Sequence, residues 1–198
     1  TSVSRGLGDV YKRQIAYPSC AADAKGLLKM ACRMDDPVIF MEHKGLYRQG
    51  YAATEEPDAD YLLSFGKGKK VLEGDEVTVI TWGAMVQKSL EAIQSLEIPN
   101  QSVEVIDLRT LNPLDVDLIE TSIMKTSKAL VVHEDNITSG PGAEIAAIIA
   151  DKFFELLDGP VRRVGAKDSP VPFNWIIEEE ILPQTVDIAN AIQELLEY

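Results

Sequence analysis

Two short stretches of the sequence combine a histidine with neighbouring carboxylates, a combination that general acid–base chemistry uses. His43 follows Glu42, and His133 precedes Glu134 and Asp135. An imidazole can exchange a proton near neutral pH, and an adjacent carboxylate can support it as a general base. No Ser, Cys or second His forms an obvious triad with either histidine in the sequence. The pattern therefore favours a structural role for both, in hydrogen bonding at the end of a strand, over a catalytic one.

The residues around His133 indicate which elements would position it. Residues 129–132 form a short apolar run, which we interpret as a buried strand, and residues 143–157 carry apolar side chains at helical spacing. The loop of residues 139–142 contains a proline that suits a first helical turn, because its missing N–H has no intrahelical partner there. His133 then lies at the carboxyl end of a strand, where open α/β sheets place ligands or contacts.

The same strand–helix unit repeats along the chain. Strands are predicted at residues 76–82, 103–108, 129–132 and 161–164, and helices at residues 85–96, 115–125, 143–157 and 186–196, with Asp115 as a candidate N-cap. An earlier helix and strand are predicted at residues 21–34 and 38–41. This alternation predicts a three-layer α/β fold, in which a mainly parallel sheet has helices on both faces.

Composition limits the possible partners and compartment. The formal net charge of −13 argues against nucleic acid as a partner, because phosphate binding needs clustered Lys and Arg. The two cysteines, Cys20 and Cys32, do not form a disulfide framework, and no apolar run is long enough for a membrane span. We therefore expect a cytoplasmic protein that does not enter a membrane. Residues 1–14 are polar and lack periodicity, so they are predicted to be disordered or extraneous.

Five blocks of the sequence resemble one known family. They read AKGLLKMACRMDDPVIFMEHKGLYR (24–48), EVTVITWGAMV (76–86), VEVIDLRTLNPLD (103–115), VVHEDNITSGPGAEIAA (131–147) and LPQTVDIANAIQELL (182–196). Their order and spacing resemble the β part of the thiamine diphosphate-dependent 2-oxo acid dehydrogenases, the first component of the pyruvate and branched-chain complexes. The stretches KGLYRQ (44–49) and EPDADYLL (56–63) are most similar to bacterial forms in which the α and β parts are fused.

The resemblance implies a domain organisation. Residues 15–52 would be the C-terminal remnant of an α/β domain that binds the cofactor's pyrimidine ring, residues 53–74 a linker, and residues 75–198 a transketolase C-terminal-type domain. A charged, proline-bearing connection at residues 54–60 is consistent with that boundary.

The resemblance also implies that the reactive parts lie elsewhere. The family's cofactor-activating glutamate and its active-site aromatic and His residues lie upstream of every matched position. The Gly-Asp-Gly motif that holds magnesium and diphosphate belongs to the α part, and neither Gly8-Asp9 nor Gly74-Asp75 is followed by glycine. No catalytic or cofactor-binding residue is therefore transferred to this chain, which is expected to be inactive alone. In the whole enzyme, an acyl group from a 2-oxo acid would pass to a lipoyl arm.

A monovalent cation site, with potassium as the candidate ion, is one feature that the resemblance carries over from some relatives. Main-chain carbonyls at a helix end would bind the ion, at positions matching Ala31, Cys32, Met34 and Asp36. Carbonyls at a helix C-terminus are unpaired and carry partial negative charge, so such a site is physically reasonable. Met34 stands where relatives often have Asp, and an ordinary helix end is the alternative interpretation.

A docking surface is the second feature. In related complexes, the small basic subunit-binding domain of the lipoyl acyltransferase contacts acidic residues and the C-terminal carboxylate, at positions matching Asp158 and Tyr198. An acidic surface speeds encounter with a basic partner. Arg162 stands where some relatives have an acid, and the alternative is that Asp158 simply ends a helix before Gly159-Pro160.

The sequence thus predicts the C-terminal portion of such a β part, serving assembly with the α part and sister β parts, and docking. One alternative is a fragment of another transketolase-type thiamine enzyme, although a sugar-phosphate enzyme would need basic groups that this half does not cluster. The other alternative is a non-catalytic module for dimerisation and interaction.

Overall fold

The computed structural model describes residues 13–99 and 101–198. The strands are β1 (Gln14–Ala16), β2 (Val38–Phe40), β3 (Lys69–Leu72), β4 (Val77–Thr81), β5 (Val103–Asp107), β6 (Thr110–Asn112), β7 (Ala129–Asn136) and β8 (Arg162–Ala166). The helices are α1 (Ala21–Ala31), α2 (Ala84–Ser95), α3 (Val116–Thr126), α4 (Pro141–Lys152), α5 (Trp175–Ile181) and α6 (Thr185–Leu196). Residues 1–12 of the segment predicted to be disordered lie outside the described residues. Gln14, which also belongs to that segment, instead forms part of strand β1 and pairs with Val38 of β2.

The larger sheet has five strands in the order β3-β5-β4-β7-β8. Strands β5, β4, β7 and β8 are parallel, and β3 joins the edge antiparallel to β5. Every residue of β4 and β5 is buried, as expected for strands that are covered on both faces. The prediction of a mainly parallel sheet is therefore confirmed.

Helices cover both faces of this sheet. On one face, apolar side chains of α2 and α6, including Met85 and Ile192, pack against Val79 and Val105. On the other face, α3 and α4 place side chains such as Ile123 and Ile149 against the strands. Both clusters consist of aliphatic residues at helical or alternating spacing, which is the pattern that predicted the three layers.

A smaller sheet has the order β2-β1-β6. Strands β1 and β2 are parallel, while β6 pairs antiparallel with β1. Because β6 follows β5 in the chain, this sheet connects the N-terminal residues with the predicted C-terminal domain. The division of the chain at residues 53–74 remains a prediction.

Several boundaries differ from the predicted ones. The predicted linker contains β3, which belongs to the larger sheet, and β6 and α5 were not predicted. Helix α4 runs over Pro141–Lys152, and a separate 3-10 turn at Phe154–Leu156 follows it. Asp115 is confirmed as the N-cap of α3, since its side chain accepts from the Leu118 N–H at 3.2 Å. Among the described residues, no helix has the length and apolar character that a membrane crossing requires.

Candidate functional site

The order of the strands identifies the place where a sheet of this kind presents a crevice. The chain runs from β4 to β5 on one side and later returns to β7 on the other side. The connections therefore diverge at the carboxyl ends of β4 and β7, and ligands of open α/β sheets bind at such a switch point. Here Trp82 and Gly83 follow β4, and His133 and Glu134 lie in the second half of β7.

Tyr17 occupies part of this crevice. Gly83 has φ +58° before α2, and a Cβ on it would lie 2.9 Å from the Tyr17 ring. Burial, assisted by the nearby charge of Glu134, raises the pKa of Tyr17 to about 12. The phenol is therefore neutral at physiological pH, and it fills space beside the strand end without adding charge.

His43, from the first of the two histidine-containing stretches, lies at the carboxyl end of β7 beside Glu134. Its Nε2 lies 2.9 Å from Oε2 of Glu134, and both side chains are about three-quarters buried. The hydrogen bond to Glu134 raises the pKa of His43, although burial opposes that effect. The structure therefore pairs the histidine of one stretch with a carboxylate of the other, and the sequence did not indicate this pairing. Glu42, the sequence neighbour of His43, instead accepts from the Tyr47 hydroxyl at 2.5 Å.

His133 is fully buried and has a different environment. Its ring lies parallel to that of Trp82, with 5.6 Å between the ring centroids. Neither ring nitrogen has a hydrogen-bond partner among the described residues, so the predicted hydrogen bonding at the strand end is not observed. Burial lowers the pKa of His133, with Asp135 opposing that shift. A neutral imidazole packed in the interior is not placed to act on a ligand.

Glycines make room for the His133 ring. A Cβ on Gly142, in the first turn of α4, would lie 2.2 Å from the ring, and one on Gly140 would lie 3.0 Å from it. The glycine-rich start of α4 therefore serves packing against the histidine.

A buried ion pair beside the crevice was not predicted. Arg109, at φ +58° after β5, donates from Nε and Nη2 to the two carboxylate oxygens of Asp23 in α1, at 2.7 and 2.8 Å. Asp107 accepts from the Ser19 hydroxyl at 2.5 Å and from the Arg109 N–H at 2.9 Å, and burial raises its pKa to about 6. The signal in the sequence was a pair of charged residues, Asp107 and Arg109, directly after an apolar strand. This cluster joins the N-terminal helix to the larger sheet.

Two cavities lie on either side of the turn at residues 43–46. One has a volume of about 590 Å³ and lies between this turn and the start of α1, where Cys20 lines it. The other has a volume of about 550 Å³ and extends to Lys88 in α2 and Glu178 in α5. His43 lines both cavities, so its side chain forms part of the wall between them.

The four residues predicted to bind a monovalent cation lie at the end of α1. The helix ends at Ala31, and the carbonyl of Ala31 accepts from the Met34 N–H at 3.2 Å. A carbonyl has two lone pairs, so this hydrogen bond leaves one for an ion. Cys32 continues in helical geometry, and Asp36 precedes Pro37 and β2. No group of three or more His, Cys, Asp or Glu side chains in the described part of the chain is arranged to hold a metal ion.

The two predicted docking residues line one surface groove. Asp158 and the exposed Tyr198 border a depression of about 750 Å³, whose floor includes the alanines of α4. The Asp158 N–H donates to the Ser127 carbonyl at 2.8 Å, which fixes the backbone at that end of the groove. Arg162 lies 3.8 Å from Glu194, outside this lining, whereas Arg163 contributes to it.

The fold and sequence together define the class of protein. The chain belongs to the family described as "Transketolase, C-terminal domain", whose model matches residues 66–188. Among its curated relatives, the chain is 41% identical over 185 residues to the "Pyruvate dehydrogenase E1 component subunit beta" of Staphylococcus aureus, and 40% identical to that of Staphylococcus epidermidis. These matches cover 93% of the chain and 56% of each relative, so the chain spans just over half of their length.

A solved structure shows the same architecture. The protein described as "Split gene transketolase, inactive beta4 tetramer" superposes with a TM-score of 0.73 and 26% sequence identity. The superposition covers 94% of this chain and 58% of the other. The resemblance to the β part of a 2-oxo acid dehydrogenase first component, with a transketolase-type C-terminal domain, is therefore confirmed.

Proposed function

We propose that this chain is the C-terminal portion of the β part of a 2-oxo acid dehydrogenase first component. In the whole enzyme, oxidative decarboxylation of a 2-oxo acid would deliver an acyl group to a lipoyl arm. The observation that carries the proposal is 41% identity to a pyruvate dehydrogenase E1 β subunit across 93% of the chain. Pyruvate is therefore the first substrate to test and a branched-chain 2-oxo acid the second, with the cytoplasm as the expected location.

The proposed role of this portion is assembly. Residues 171–177 expose a run of large apolar side chains, in which Phe173 is fully exposed and Trp175 is 66% exposed. Contiguous exposed apolar groups are typical of surfaces that bind other proteins. The partners would be the α part, fused or separate, and sister β parts. The split-gene transketolase is itself described as a β4 tetramer, which supports self-association as one mode.

Docking of the lipoyl acyltransferase is the second part of the proposal. A basic subunit-binding domain would approach the groove that contains Asp158 and Tyr198, drawn by the chain's net charge of −13. Arg163 also lines the groove, so a partner cation would contact the Asp158 end.

Thiamine diphosphate and magnesium would be bound outside the described residues. In the family that this chain resembles, a Gly-Asp-Gly motif of the α part holds magnesium and the diphosphate, and neither Gly8-Asp9 nor Gly74-Asp75 is followed by glycine. Potassium at the end of α1 would be structural. We therefore expect no turnover by the isolated chain.

Turnover and light-scattering measurements test this function. The isolated chain with thiamine diphosphate, magnesium and pyruvate should reduce an artificial electron acceptor no faster than a blank. Addition of a cognate α part together with the missing half of the β part should give turnover and a larger particle. Activity of the chain alone would contradict the proposal, and a stable dimer indifferent to these additions would favour a non-catalytic interaction module.

A matched pair of variants tests the assembly surface. Phe173→Ser should reduce association, because it removes the most exposed aromatic group of the apolar run. Met124→Ser is the control, since Met124 is 63% exposed in helix α3, outside the apolar run. Equal effects of the two changes would remove residues 171–177 from the interface.

The second candidate function is a fragment of another transketolase-type thiamine enzyme. The likeness to a split-gene transketolase favours it. Turnover of a ketose phosphate, but no 2-oxo acid, by the reconstituted enzyme would select this alternative.

A further inference from the structure

Residues 42–53, which we name the crossing segment, approach the carboxyl edge of the larger sheet, where His43 contacts Glu134 and residues 43–46 line a cavity together with the start of α2. Within them, backbone hydrogen bonds are local, such as those from Leu46 to the His43 carbonyl and from Ala52 to the Gln49 carbonyl. Most of the segment is exposed, while His43 and Leu46 are partly buried and Ala52 is buried. Its attachment to the rest of the chain therefore depends on few groups.

Among the described residues, the His43 side chain makes the polar contact that joins the crossing segment to the larger sheet. The partner, Glu134, is 91 positions away in sequence, on the strand that borders the switch-point crevice. A protonated imidazole both attracts the carboxylate as an opposite charge and donates a hydrogen bond to it, whereas a neutral imidazole can only donate the hydrogen bond. The strength of this attachment consequently depends on the protonation of His43.

The charges around His43 come from several elements. Glu134 faces it from β7 and Lys88 from α2, while Glu42 and Lys44 are its neighbours in the crossing segment. Glu91 and Glu178 line the adjoining cavity, and Tyr17 contributes a neutral phenol. The hydrogen bond to Glu134 raises the pKa of His43, whereas burial and Lys88 oppose the shift. Since the raised value is the net result, His43 is protonated under mildly acidic conditions, and its imidazole loses the positive charge as the pH rises.

We propose that His43 and Glu134 form a protonation-dependent latch, which holds the crossing segment over the switch-point crevice and controls access to the cavity beside α1. Below the pKa of His43 the latch is charged and closed. As the pH rises through that pKa, the imidazole loses its charge, the attraction between opposite charges is lost, and the segment opens more often. The latch uses only residues of this chain and does not depend on the chemistry proposed for the whole enzyme.

The two cysteines provide a direct readout of the latch. Cys20 is partly exposed and lines the cavity of about 590 Å³ whose wall includes the crossing segment, whereas Cys32 is exposed and does not line it. Opening should therefore speed modification of Cys20 by methyl methanethiosulfonate and leave Cys32 unchanged. The ratio of the two rates is followed by mass spectrometry of peptides from the full chain. Because burial raises the pKa of Cys20, this ratio is compared between proteins at the same pH.

Glu134→Gln retains a hydrogen-bond acceptor and removes the charge. At pH 5.5, where His43 is protonated, we expect this variant to raise the Cys20/Cys32 ratio by about fivefold relative to wild type. At pH 8.5 the difference should be smaller, because the imidazole is then neutral in both proteins and only a hydrogen bond to the carboxylate or to the amide remains. An equal ratio at pH 5.5, or an equal difference at both pH values, would overturn the latch.

His43→Gln provides a second variant if the first alters folding. It removes the titrating group, so its Cys20/Cys32 ratio should exceed that of wild type at pH 5.5 and approach it at pH 8.5. NMR provides an independent measurement, since the chain has only two histidines. Glu134→Gln should lower the pKa of His43 and leave the resonance of buried His133 in place. An unchanged pKa of His43 in this variant would contradict the proposal.

Discussion

Replacement of Arg109 by methionine would test whether the buried ion pair fastens the N-terminal helix to the larger sheet. Arg109 and Asp23 share two hydrogen bonds across 86 positions of sequence, and their side chains are 11% and 3% exposed. Methionine removes the charge and both donors but keeps a Cβ at φ +58°. The backbone strain is therefore the same before and after the change, and the comparison reports the ion pair.

The expected loss is large because Asp23 would remain buried without its partner. Breaking one side of a buried ion pair costs about 3–5 kcal/mol in the free energy of unfolding. For a chain of 198 residues, each kcal/mol lowers the melting temperature by roughly 2–4 °C, so the expected decrease is roughly 6–20 °C. The double replacement of Asp23 by leucine and Arg109 by methionine should recover much of this loss, since apolar substitutes for a buried pair are often close to neutral.

Scanning calorimetry at pH 7 provides the measurement, with Arg162→Met as the matched control. The Arg162 guanidinium lies 3.8 Å from Glu194, and both side chains are about half exposed or more. An exposed pair of this kind contributes about 0–1 kcal/mol. If Arg109→Met and Arg162→Met lowered the melting temperature equally, the reasoning from burial would be refuted.

Three further predictions concern the packed glycine and two buried titrating groups. In a urea titration, Gly142→Ala should lower the free energy of unfolding by about 1–3 kcal/mol, because its Cβ would lie 2.2 Å from His133. The control is Gly50→Ala, which should be neutral or slightly stabilising because no atom lies within 4 Å of the added Cβ. Burial lowers the pKa of His133, so wild type should lose stability as the pH falls through the unfolded value of about 6.5, and His133→Phe should flatten that decline. Burial raises the pKa of Asp107 to about 6, so the free energy of unfolding of wild type should fall as the pH rises from about 4 to 6. Across that interval, the free energy of unfolding of Asp107→Asn should rise by about 2–3 kcal/mol relative to that of wild type. A pH-independent difference in unfolding free energy would contradict either titration.

The parallel core could be predicted because its signals are local. Strand β4 is a run of buried Val, Ile and Thr, and α6 shows a helical repeat that packs on one face. The edge strand β3 was missed because it begins with Lys69-Lys70 and is defined by antiparallel pairing with β5. Strand β6 has three residues and is defined by its partner β1, almost a hundred positions away. Such elements depend on tertiary pairing that a local pattern does not contain.

The same distinction applies to the candidate site. The sequence indicated both histidines but grouped each with adjacent carboxylates, whereas His43 binds Glu134 and His133 binds neither. Proximity in a folded sheet is set by strand order, so neighbours in sequence gave the wrong pairing. Asp158 and Tyr198 were predicted only through resemblance, and the structure places both beside one groove.

The switch point itself supports a division of labour in the family fold. A crevice of this kind binds ligands in many open α/β sheets, yet here Tyr17 and His43 from the N-terminal residues enter it. Each contact has a matching adaptation in the larger sheet, since Gly83 leaves space for the tyrosine ring and Glu134 presents a carboxylate to the histidine. The crevice therefore functions as an internal docking site for the chain's own N-terminal part. The use of this position for contacts within the chain is consistent with the assembly role that we propose for this portion.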